Sequence, residues 1–140
     1  MARAKAATKK KKLKRRSVPP KPALQHVVWE AVELEQVNPL LSRHFVAGKN
    51  VMMARIFLQK GSVVPLHSHH NEQISYVLEG SLRFWIDGKE ILVKAGEVLL
   101  IPPELPHKVE ALDDTLSLDI FDPPRADWIN KTDAYLRKSK

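Results

Sequence analysis

The chain has 140 residues, with 23 Lys and Arg, 16 Asp and Glu, six His and no Cys. That length fits one domain, and the missing cysteines exclude disulfide scaffolds, thiolate metal sites, CxxC redox chemistry and a cysteine nucleophile. The formal charge of +7 is unevenly spread: residues 1–21 hold ten basic residues and no acid, so positions 22–140 carry a net −3 and the body is not a basic nucleic-acid binder.

Residues 1–22 are rich in Lys, Arg and Ala and end in Ser17-Val18-Pro19-Pro20-Lys21-Pro22. Like charges repel, no apolar face exists and the prolines break a helix, so a disordered tail is expected. Such a tail solubilises the chain or tethers it to nucleic acid or another anionic surface. No apolar stretch follows it, so it does not read as a secretory signal. The longest apolar run, 98–103, is far short of the roughly 20 residues of a membrane helix. A cytoplasmic protein without a membrane partner is expected.

One domain is expected over 23–140. Short apolar runs predict nine strands: Val27–Val32, Leu40–Val46, Val51–Leu58, Gln73–Leu78, Leu82–Ile86, Glu90–Val93, Val98–Ile101, Lys108–Ala111 and Leu116–Phe121. In Leu82–Asp87 the even positions are apolar, and Asp87-Gly88 predicts a tight hairpin. Only Trp128–Leu136 suggests a short C-terminal helix. Many short strands at close spacing predict an all-β sandwich or barrel.

The chemistry concentrates in two segments. His67 and His69 are two apart, so on a strand both imidazoles share one face. Gln73 opens the next apolar run, and His107 opens a strand after Ile101-Pro102-Pro103-Glu104-Leu105-Pro106. A fold that joins the segments sets three imidazoles and one amide oxygen around a divalent ion, with further positions open. His26, His44 and His70 read as surface or core residues, His70 because its parity opposes that of His69. Later, Leu118 and Ile120 share one strand face while Ser117, Asp119 and Phe121 share the other. Parity alone does not say which face is the cavity.

Residues 61–80 and 96–111 resemble the two motifs of the cupin superfamily. Gly61, His67, His69, position 73 and Gly80 fall on G-x5-H-x-H-x3-4-E-x6-G; Gly96, Pro102 and His107 fall on G-x5-P-x-G-x2-H-x3-N. Gln73 stands in place of an acidic ligand, Glu104 in place of glycine and Ala111 in place of asparagine. A neutral amide is the weaker ligand and leaves the site one unit more positive, while the neighbouring Glu72 has the parity of the other face. The resemblance covers roughly 40–122. It implies a jelly-roll β-barrel with one divalent transition metal (Zn, Fe, Ni or Mn) on His67, His69, Gln73 and His107; without an acidic ligand, Ca and Mg fit poorly.

The run Asp119-x-Phe121-x-Pro123-Pro124-Arg125-x-Asp127-Trp128 is similar to that of small cupins of the KdgF type, proteins of pectin and alginate degradation. That resemblance implies ring opening of 4,5-unsaturated uronates to keto acids. Asp119 would be general acid/base, Arg125 the clamp on the substrate carboxylate, and Phe121 the surface under the sugar ring. Because this fold carries many chemistries, two alternatives stand on the same residues: a metal-dependent dioxygenase, and a non-catalytic cupin that binds a small sugar acid. A homodimer is also implied, with Gln25–Val32 and Trp128–Leu136 as its contact segments.

Overall fold

The computed structural model describes residues 23–137. The basic tail, with its expected disorder and anionic partners, and the last three residues lie outside that range. Ten strands run β1 Glu35–Asn38, β2 Leu41–Ala47, β3 Met52–Leu58, β4 Val63–His67, β5 Glu72–Glu79, β6 Ser81–Ile86, β7 Lys89–Lys94, β8 Val98–Ile101, β9 His107–Ala111 and β10 Thr115–Asp122. They form a six-stranded sheet ordered β1-β2-β3-β10-β5-β8 and a four-stranded sheet ordered β4-β9-β6-β7, all pairs antiparallel. The crossovers between sheets make it a jelly roll, as expected.

Alternation explains which face is inside. On β3, Met52, Ala54, Ile56 and Leu58 are buried, and on β6 Leu82, Phe84 and Ile86 are. Each large side chain so buried contributes about 1.5–3 kcal/mol, and together they fill the space between the sheets. The β6–β7 hairpin closes on Asp87 and Gly88, both with positive φ (54° and 70°), as a two-residue turn of this hand requires.

Three strand expectations need correction. Val27–Val32 is not a strand: Trp29–Ala31 forms one 3₁₀ turn, with Ala31 N donating to Val28 O and Val32 N to Trp29 O, both at 2.9 Å. Stacking of Trp29 on His44 (ring centroids 4.6 Å apart) outweighs the strand propensity of the valines. The polar β1 was missed because neither its composition nor its alternation announces a strand. β4 was missed because of Pro65, which it tolerates as an edge strand of its sheet. At the C-terminus the helical segment is two four-residue helices, α1 Ala126–Ile129 and α2 Ala134–Arg137. Lys131, with φ 58°, lies in the left-handed region and prevents a continuous helix.

Candidate metal centre

Strand ends bring the motif residues together. β4 ends at His67, which pairs with His107 at the start of β9. His69 lies beyond β4 in the connection to β5, so the two motif histidines do not share a strand as expected; the turn nevertheless returns His69 to the same place. Ring centroids are 4.3 Å apart for His67–His107, 5.2 Å for His69–His107 and 5.5 Å for His67–His69. One ligating nitrogen from each lies within 4.8 Å of the others. His26 and His70 are exposed, and His44 is buried away from this cluster against Trp29.

Each imidazole is oriented by its other nitrogen. Nδ1–H of His67 donates to Pro65 O (2.8 Å), that of His69 to Asn71 O (3.1 Å) and that of His107 to Leu105 O (2.8 Å). A neutral imidazole has one N–H, so all three present bare Nε2 lone pairs. Burial pushes His67 down to about 3, with His107 as the next cause, and His69 down to about 4, with Arg125 next; burial lowers His107 as well. At neutral pH the three are therefore uncharged and competent ligands.

Two observations test whether the site fits a metal. His107 Nε2 is buried without a hydrogen-bond partner among the described residues. His69 Nε2 faces Gln73 Oε1 at 3.1 Å; with the Nδ1 proton on Asn71 O, both atoms are acceptors. Lone pairs so opposed repel unless a cation lies among them. The amide is turned this way because its Nε2 donates to Ser75 Oγ (2.9 Å) and Asp119 Oδ2 (3.4 Å). Glu72 is exposed on the other face, as its parity predicted.

Parity on β10 is decided as well. Ser117, Asp119 and Phe121 are buried on the inner face, and Asp119 stands opposite Ser75 and Phe121 opposite Gln73 across the β10–β5 pair. Asp119 Oδ1 accepts from Ser117 Oγ at 2.7 Å. Burial pushes the Asp119 carboxyl up to about 6, against the opposing effects of Ser117, Ser75 and Arg125. Arg125, just before α1, is buried on the same cavity, which has a volume of about 50 Å³. Its fork is already engaged: Nε donates to Asp127 Oδ1 (3.0 Å), and Nη2 to Asp127 Oδ2 (2.9 Å) and Tyr135 Oη (2.8 Å).

Several cavity residues were not singled out from the sequence: Arg43, Ser75, Ser117, Trp128 and Tyr135 all line it. Arg43 had a readable signal, a charge at the parity of Leu41 and Phe45. Tyr135 had none, since its place depends on how the C-terminal segment folds back. Its ring stacks on His67 with centroids 4.6 Å apart and 19° between planes.

Residues 54–122 match the family described as Cupin domain. A pectin degradation protein, KdgF of Dickeya dadantii, is 30% identical over 82 residues, 57% of this chain and 74% of that protein. An oxalate-binding protein of Thermotoga maritima is 36% identical over 84 residues, 59% of this chain and 69% of the relative. The chain belongs to the cupin family. This cupin also matches an uncharacterized protein of Methanocaldococcus jannaschii, 35% identical over 75 residues; the match takes in 53% of the chain and 60% of that protein's length. Among solved structures, KdgF from Halomonas sp. has the same fold, with a TM-score of 0.71 at 24% identity over 76% of this cupin and 99% of that chain. Among the described residues, no helix is long and apolar enough to cross a membrane.

Proposed function

We propose that this cupin holds one divalent transition metal (Zn, Fe, Ni or Mn) on His67, His69, Gln73 and His107 and opens the ring of 4,5-unsaturated uronates to keto acids. The observation that carries this reading is a buried carboxyl near neutrality, Asp119, linked through Gln73 to the three-histidine cluster. The similarity to a pectin degradation protein supports it. When bound, the metal supplies Lewis-acid stabilisation of developing oxygen charge. Asp119 takes the proton of the anomeric hydroxyl; the C1–O5 bond breaks, its electron pair passes to the ring oxygen, and the resulting C5 enolate is protonated at C4. One carboxyl that accepts and returns a proton balances that sequence. Arg125 attracts the substrate carboxylate, and Phe121, edge-on to His69 at 5.9 Å, borders the sugar ring.

The test follows the absorbance of the C4–C5 double bond above the spontaneous rate. Turnover is expected, and Asp119→Asn should lower it about 10²–10⁴-fold while metal content stays unchanged. Metal without turnover overturns the uronate reading. It would then favour a second one, a non-catalytic binder of small carboxylates, which the oxalate-binding relative and the small cavity support. Oxygen consumption separates out the dioxygenase alternative. Cytoplasmic location, a homodimer and an anionic partner for the tail accompany this reading as proposals.

A further inference from the structure

Arg43 on β2 is fully buried and lines the same cavity as Gln73, Asp119 and Arg125. Its Nη1 lies 2.8 Å from Asp133 Oδ2, but off line, so neither atom gains a hydrogen bond, and Nε has no partner among the described residues. Nη2 reaches Glu35 Oε1 only at 3.4 Å. Buried guanidiniums ordinarily have their donors filled. Here a cation rests over the Trp128 ring, 4.2 Å from its centroid, with donors in excess beside a cavity. Arg125, in contrast, makes two hydrogen bonds to its carboxylate partner, Asp127.

Asp133 belongs to the segment that carries Tyr135 and Leu136 onto the cavity wall. Its Oδ1 accepts from Arg137 Nε (2.9 Å), and Arg137 Nη2 donates to Glu35 (2.7 Å). Tyr135 covers His67, and Leu136 is buried on the cavity wall. The segment leaves α1 through the left-handed Lys131. A cavity of about 50 Å³ is far below the roughly 300–1,000 Å³ of small-molecule pockets, so a ligand of sugar size needs more room than it offers, and this segment is a part of its wall that belongs to neither sheet.

We propose that Arg43 is a carboxylate-binding residue of the cavity and that Asp133 holds its place in the closed state. An incoming carboxylate and segment 130–137 then compete for one guanidinium. In the exchange Arg43 passes from one carboxylate to another, and Asp133 keeps Arg137. The inference deepens the uronate reading, which supplies such a carboxylate, but requires only the carboxylate.

The test uses full-length, metal-loaded protein, with trypsin cleavage after the exposed Lys131 reporting local opening. Sodium acetate, compared with sodium chloride at equal ionic strength, should speed cleavage of the wild type about threefold or more. Asp133→Asn should be cleaved that fast in chloride, and Arg43→Gln equally fast in both salts. In calorimetric titration, D-galacturonate should bind Asp133→Asn about tenfold more tightly than wild type, because the closed state no longer competes. It should not bind Arg43→Gln, and Arg43→Lys, which keeps the charge should Gln fail to fold, should restore part of the affinity. A merely structural Asp133 predicts equal or weaker binding on its loss; that result, with acetate inert, overturns the proposal even if uronate turnover is found. An acetate effect without uronate turnover removes the uronate reading and leaves the competition supported.

Discussion

Gln73 decides what sort of site this is. Its amide oxygen points at His69 only because Ser75 and Asp119 hold its nitrogen. Gln73→Leu should therefore weaken metal binding about 10–100-fold in competition with a chelator; unchanged affinity would show that the amide is not a ligand. Asp119 has a distinct signature in the metal-free protein. A carboxyl raised in the folded state to about 6 stabilises the fold only when protonated, so its contribution is present below its ordinary value and lost as pH rises through 6. Ionised at pH 8, it costs about 3 kcal/mol. Asp119→Asn should accordingly raise Tm at pH 8 and leave it unraised at pH 4. His67 and His69 have the opposite sign: they are depressed, and their contribution is lost as pH falls from 6.5 toward 4 and 3. The three clustered histidines were legible because motif spacing survives in the sequence. Tyr135 was not, since long-range packing alone gives it a place at the site, and Arg43 announced itself only as a charge at the parity of Leu41 and Phe45.

At the scale of turns and strands, two positions carry backbone demands. Glu104, where the second motif has glycine, adopts φ 70° and donates its N–H to His69 O at 2.8 Å. A non-glycine residue in that region costs about 1–2 kcal/mol, partly offset by the extra freedom glycine brings to the unfolded chain. Glu104→Gly is expected to stabilise by about 0.5–1 kcal/mol, measured by urea unfolding at unchanged m. Gly80, between β5 and β6, has φ 88°, and a Cβ there meets Asp114 O, Thr115 Oγ1 and, at 2.8 Å, Thr115 Cα. Gly80→Ala should lower stability by more than about 1 kcal/mol. Here the sequence was informative where turn chemistry was unmixed, as at Asp87-Gly88. It misled where a proline sat in an edge strand, and at Val27–Val32, where a tryptophan had a better surface to cover.

Across the whole molecule, the outer face of the six-stranded sheet carries a continuous apolar row. Val46, Met53, Ile120, Ile74 and Leu100 form one cross-strand row, and Leu118, Tyr76 and Val98 continue a second that begins with His44 and Arg55. Trp128 and Leu136, expected at a two-fold contact, are buried within their own chain. A homodimer of this cupin would use the sheet face instead, where copies meet without an unpaired charge in the first row. Ile120→Glu should then give a monomer by light scattering; a dimer that survives the change places the contact elsewhere. The metal-site residues have a mechanical consequence of their own. His67 and His107 belong to the four-stranded sheet, and Gln73 to the six-stranded one. An ion held by all three rivets the two layers together, as a cross-link does, and it raises the unfolding temperature in proportion to how well it fits. At a thousandfold excess over Kd that gain is about 4 kcal/mol. A melting screen across Zn, Fe, Ni and Mn would thus rank the metals with no substrate in the tube.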